Sequence, residues 1–103
     1  MPLEALANGH FAMKGSITFD NAVTVVTEGK KQLMASASSQ GVTHWCIDLA
    51  FTEQADSSAL SVLLSWMRLA QKEGTTLSFQ NMPAQLEALV QVADLEELLQ
   101  KPF

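Results

Sequence analysis

Tyrosine is absent, cysteine occurs once, and three prolines and five glycines are spread over the 103 residues. A single cysteine, Cys46, excludes an internal disulfide framework and any multi-cysteine zinc site. Its place inside an apolar run reads as a small buried core residue rather than a reactive thiol. Basic residues are scarce as well. Lys14, Lys30, Lys31, Arg68, Lys72 and Lys101 are the six present, and the net charge is −5. They form no stripe that would neutralise phosphates, which argues against nucleic acid as a partner, and the same deficit disfavours docking onto anionic lipid. No apolar run approaches the roughly 20 residues of a spanning helix, so direct membrane insertion is not expected. Met1 to Leu6 carries Glu4 and lacks the basic-then-apolar plan of a signal peptide, and the chain reads as a cytoplasmic domain.

What is present suits one globular domain over 1–103. Hydrophobic residues make up 48% and charged residues 17%, enough apolar side chain for a single core and too little charge for disorder. Asn8-Gly9 is a strong turn pair, and it predicts a hairpin of Leu3–Ala7 with His10–Lys14. Asp20 or Asn21 then has the side-chain oxygen to cap a helix. Val23, Val26, Lys30 with its long aliphatic stem, Leu33, Met34 and Ala37 give a helical stripe over Ala22–Ser38, against which Gly29 counts about 1 kcal/mol relative to alanine. Trp45–Leu49 is almost continuously apolar, as in a central strand covered on both faces. A helix over Ser57–Glu73 follows and ends at Gly74, where glycine relieves the left-handed cap. Thr75–Phe79 alternates like a strand. Pro83 sits in the first turn of a helix, where its missing N–H does no harm, with Leu86, Leu89, Val90 and Ala93 facing inward. Residues 94–99 read as a capped final turn or short helix. Strands alternating with crossover helices imply an α/β fold with a largely parallel sheet, made mixed by the hairpin.

Catalysis finds no footing in this pattern. There is no Gly-x-Ser-x-Gly elbow, and neither His10, beside a turn, nor His44, opening a strand, lies in a segment that would meet a serine. Two isolated histidines without His-x-x-x-His or Cys-x-x-Cys spacing do not make a metal site, and no glycine-rich phosphate loop is present. The expectation is no catalytic residue, no metal and no cofactor.

The Ser57–Glu73 helix is more informative. At about 100° per residue, Ser57, Ser61, Ser65, Arg68 and Lys72 form one polar arc. Leu60, Leu63, Met67 and Ala70 face the sheet. Val62, Trp66 and Leu69 fall at a margin, where they either pack on a neighbouring helix or supply apolar area for a partner. Asp56-Ser57-Ser58 has a plain explanation as a helix cap. It also has a functional one, because a helix N-terminus tolerates a phosphoryl group.

Ile47-Asp48-Leu49, Asp56-Ser57-Ser58-Ala59-Leu60 and Leu63-Leu64 together resemble the signature of the STAS family of sulfate-transporter and anti-sigma-factor-antagonist domains. Gly74, the Leu77–Phe79 strand and Leu86…Leu89-Val90…Asp94-Leu95…Leu98-Leu99 resemble its C-terminal half, and Gly15…Phe19-Asp20 its approach to the first helix. The resemblance implies a mixed sheet of four to five strands packed with about four helices, and a non-enzymatic binding module. One branch of the family binds the ATPase subunit of a phospholipid ABC transporter that maintains outer-membrane lipid asymmetry. Another consists of anti-sigma-factor antagonists, in which the serine matching Ser57 accepts phosphate from a serine kinase. Ala59 stands where glycine is common, and Ala55 where a bulky apolar residue is common. The compact size and the tryptophan-bearing helix bring the chain nearer to the transporter-binding branch, with the antagonist as the alternative. The partner surface implied is Thr52, Asp56, Ser57, Ser58, Ser61, Val62, Ser65, Trp66 and Leu69, on a cytoplasmic protein held at the inner membrane only through a transporter complex.

Overall fold

The computed structural model describes residues 3–92. The hairpin forms as expected: β1 (Leu3–Ala7) and β2 (His10–Met13) pair antiparallel around a turn in which Gly9 takes φ 74°. The carbonyl of His44 would lie 2.1 Å from a Cβ at that position, so glycine is required twice over, by backbone angle and by space. β4 (His44–Asp48) lies parallel to β2, and β6 (Thr76–Gln80) parallel to β4, giving a four-stranded mixed sheet in the order β1-β2-β4-β6. Each of these two strands is shifted by one residue from its predicted span, β4 toward the N-terminus and β6 toward the C-terminus.

A second, two-stranded parallel sheet was not foreseen. β3 (Gly15–Ile17) pairs with β5 (Thr52–Ala55), inside segments to which the sequence assigned no strand, the approach to the first helix and the stretch between the central strand and the Asp56 cap. Strands of three and four residues are too short to show a period, and what holds them is burial of Ile17 and Ala55 against the core.

α1 (Ala22–Gln40) extends two residues beyond the predicted end and closes on Gly41 at φ 64°. α2 (Ser58–Glu73) closes on Gly74, whose N–H is bonded back to Ala70 and Gln71 carbonyls. α3 (Ala84–Val92) begins directly after Pro83. These are the helices of the described residues; the helix or turn expected at 94–99 lies outside them. Residues of all three helices share one core cluster with Trp45, Ile47 and Leu77 of the sheet. The expectation that the central strand is covered on both faces agrees with the burial of Trp45, Cys46, Ile47 and Leu49. Trp45 and Ile47 meet the helices, and Cys46, buried with a free thiol, alternates to the other side. At the sheet edge the Gln32 side-chain amide of α1 both accepts from the Leu3 N–H and donates to the Leu3 carbonyl.

Trp66 sets the spacing of α1 and α2. It is fully buried, and its Nε1 donates to the Val26 carbonyl at 3.3 Å. A Cβ on Gly29 would come within 2.5 Å of the Trp66 ring. Gly29, unfavourable for helix propensity alone, is what lets the indole lie against α1. Gly29→Ala would gain about 1 kcal/mol of propensity and lose about 1–3 kcal/mol to overpacking. Urea unfolding is expected to show net destabilisation; a stabilised variant would mean that the ring does not rest on this glycine.

Candidate partner-docking face

The face is built where two loops meet at the start of α2. Ile17 and Ala55 stand opposite each other in the small sheet, and the Asp56 N–H continues the pairing to the Ile17 carbonyl at 3.3 Å. Asp56 then uses its whole carboxylate. One oxygen accepts from the Ser58 N–H at 2.9 Å and from the Ser58 hydroxyl, and the other accepts from the Phe19 N–H at 2.9 Å. These bonds favour the ionised form, so the Asp56 pKa lies below its ordinary value, chiefly through the Ser58 hydroxyl and next through the Phe19 amide. Asp56 thus acts as the cap of α2 and as a tie to the loop ahead of α1.

That loop is closed on itself. Asn21 occupies the N-cap position of α1, but its side chain makes no bond to the helix amides. Its oxygen accepts from the Thr18 N–H at 2.9 Å and its amide donates to the Ser16 carbonyl at 2.8 Å. The predicted helix cap is in fact a loop clasp. At the other end of the strand before β5, Asp48 accepts from the Ala50 N–H and from the Asn81 side chain, which fixes the turn leading into β5.

The two serines after Asp56 differ in consequence. Ser58 is half-buried with its hydroxyl committed to Asp56. Ser57 is exposed and makes no side-chain capping bond. Ser61 is exposed and Ser65 half-buried on the same side of α2, with Arg68 exposed beyond them. Thr52 is buried, with its hydroxyl unpaired, on β5. Val62 and Trp66 are both fully buried, which corrects their place in the expected partner surface. Packing on α1 consumes Trp66, and Val62 is left only as the closed floor of the space between the two helices. Leu69 is partly buried against the core.

The apolar area missing from α2 is found on the neighbouring element. Phe19 is 84% exposed and Val23 is 81% exposed. Between the helices runs an open groove of about 230 Å3, lined by Ala22, Val23 and Val26 of α1 and by Ser61, Val62 and Ser65 of α2. Sequence reasoning missed Val23 because it fits the amphipathic stripe as a core position, and Phe19 because it reads only as part of the approach to the first helix. The one available signal was that Val25, Gly29, Leu33 and Ser36 make a complete buried stripe without Val23. Three larger cavities, of about 350, 480 and 330 Å3, lie under β1, beside the β3 loop and at the Asn8 turn, and none is lined by Asp56 or the serines of α2. Among the described residues no group of three His, Cys, Asp or Glu side chains is placed to hold a metal, and no helix is long and apolar enough to cross a membrane.

A depressed carboxylate pKa makes the Asp56 tie a feature of neutral pH. Its stabilising effect is present above the unfolded-state carboxylate pKa and is lost as pH falls through the lower folded value. Asp56→Ala is expected to lower the thermal midpoint at pH 7 and to bring the variant and the parent together as the pH drops below the carboxylate range. An unchanged difference at low pH would show that the carboxylate charge is not what holds the loops.

A family model described as "Mlab, STAS domain" matches residues 5–100. Among solved structures, the anti-sigma factor antagonist SpoIIAA in its unphosphorylated form superposes with a TM-score of 0.71 at 15% identity, over 95% of this chain and 84% of that one. Mglu matches with a TM-score of 0.57 at 18% identity, over 81% of this chain but 19% of the longer Mglu chain. At these identities the likeness is one of fold. No curated protein sequence matches.

Proposed function

The chain belongs to the STAS domain family described as "Mlab, STAS domain", and on that premise we propose that it is a non-enzymatic accessory subunit that binds and regulates the ATPase of a phospholipid ABC transporter. The observation that carries the reading is the conjunction of that family with a face built for contact rather than chemistry. Exposed Ser61, half-buried Ser65 and exposed Val23 line a groove between α1 and α2, with exposed Ser57 and Phe19 on the segments where those helices begin. Binding one conformation of an ATPase better than another shifts its cycle without any reaction on this chain. Asp56 orders the face, Ser57 and Ser61 make polar contacts, and Phe19 and Val23 supply the apolar area first assigned to Val62 and Trp66. The protein would then work on the cytoplasmic side, held at the inner membrane through its partner.

One observation favours a second reading. The Ser57 hydroxyl is exposed and free of a capping bond at the N-terminus of a helix of 16 residues, and the fold is that of SpoIIAA. In an anti-sigma-factor antagonist, phosphate on Ser57 would be tolerated by the helix dipole while its charge blocks the partner.

Purification of the tagged protein from native cells in gentle detergent separates the two. An ABC ATPase together with its permease supports the first reading, and a serine kinase or anti-sigma factor in its place overturns it. Ser61→Arg, on the exposed side of α2, is expected to lower retention of the ATPase by about tenfold or more, about 1.4 kcal/mol, with the thermal midpoint unchanged. Ser57→Asp is expected to keep the fold intact, because an acid at a helix N-terminus is favourable. It weakens ATPase retention only partly, whereas complete loss of a kinase-type partner is the antagonist outcome.

A further inference from the structure

We propose that the groove between α1 and α2 receives an amphipathic helix of the partner protein, lying along both helices with a basic end over Asp20 and Asp56 and an acidic end beside Lys30, Arg68 and Lys72. This rests on the reading above that the face binds another protein, and it adds the form and polarity of what binds.

The walls decide the form of the occupant. Both sides of the groove are helices, Ala22–Gln40 and Ser58–Glu73, whose backbone groups along this stretch are taken by their own i to i−4 bonds. An extended segment laid there would find no ladder partner for its N–H and C=O groups, and burying those unpaired is costly. A helix arrives with its backbone bonds already made and buries side chains alone. The floor accepts such side chains. Val62 is fully buried at its base, Val26 is half-buried, and Ala22, Ser61 and Ser65 are too small to fill the space between the helices. Val23, more than four-fifths exposed, forms one rim, and Phe19, equally exposed, stands in the segment just ahead of α1.

The charges decide the polarity. Asp20 and Asp56 are exposed at the end where α1 and α2 begin, with Glu53 nearby in sequence. Lys30 follows Val23 by one heptad, and Arg68 and Lys72 follow Ser61 and Ser65 by one heptad, so all three come up at the opposite end of the same face. Glu73, in the last turn, offsets one of them. Seven residues of helix span about 10 Å, longer than the screening length of about 8 Å at physiological salt. The two ends therefore act on an occupant separately. A helix of about three turns with opposite charge at its two ends is the complement.

The test uses the full chain in native cells with a photo-crosslinking phenylalanine derivative at Thr27, which lines the groove, and a control at Gln85 on α3. The expected product from Thr27 is a partner peptide with apolar residues at i, i+3 or i+4 and i+7, Lys or Arg at one end and Asp or Glu at the other. Its yield is expected to fall about tenfold or more in Phe19→Ala/Val23→Asp, and to fall in Asp20→Lys more at low than at high salt. All three positions are exposed, and circular dichroism checks that the variants are folded. Crosslinks to a loop, to a second copy of the chain, to lipid or to nothing overturn the proposal. The two readings fail separately. An ATPase that co-purifies but crosslinks only outside the groove removes the helix and leaves the transporter role. A peptide of the stated pattern from a different protein keeps the helix and removes the transporter role.

Discussion

An indole resting on a glycine governs the outer surface of this protein. With Trp66 lying where a Gly29 Cβ would be, α1 and α2 approach closely, and the side of α2 nearest α1, with Val62, is drawn inside. What remains outside on α2 is serine, with Arg68 and Lys72 further along. The apolar contribution to the face then comes from α1 and the loop before it. A bulkier residue at 29 would spread the helices and change the groove before it changed the core.

The second constraint is electrostatic and local. The β3–β5 pair is too short to be independently stable, and the loops it joins would have little reason to stay in register without a further tie. Asp56 supplies it by accepting from both sides, the Ser58 end of α2 and the Phe19 amide. Order at the serine loop and the position of the Phe19 backbone are thereby one property.

The elements with strong local chemistry were legible in the sequence. Asn8-Gly9 marked the hairpin, Gly74 the end of α2, Pro83 the start of α3, and Asp56 the cap, each because a single residue has one physically suitable place. The family resemblance rested on the same Asp-Ser-Ser turn, and the matching family model bears it out. Two kinds of feature were not legible. β3 and β5 are held by tertiary burial of Ile17 and Ala55, with no period to show. The fate of Trp66 depended on a partner 37 residues away in sequence, Gly29, which local reading counted only as a weakness in its own helix. Asn21 was the right residue type for a cap, but its side chain found better partners behind it than ahead.

The Gln32 amide has a consequence for how the protein behaves in a crowd. A primary amide presents one donor and one acceptor side by side, as a peptide unit does, and here it occupies both backbone groups of Leu3. Lateral growth of the sheet by strand addition, the elementary step of ordered aggregation, is stopped at that residue by a plug the chain carries itself. Because the plug is anchored in α1, peeling the edge strand away also disturbs the helix that walls the groove. Two hydrogen bonds from one uncharged side chain thus join the protected edge of the sheet to the helix that walls the groove.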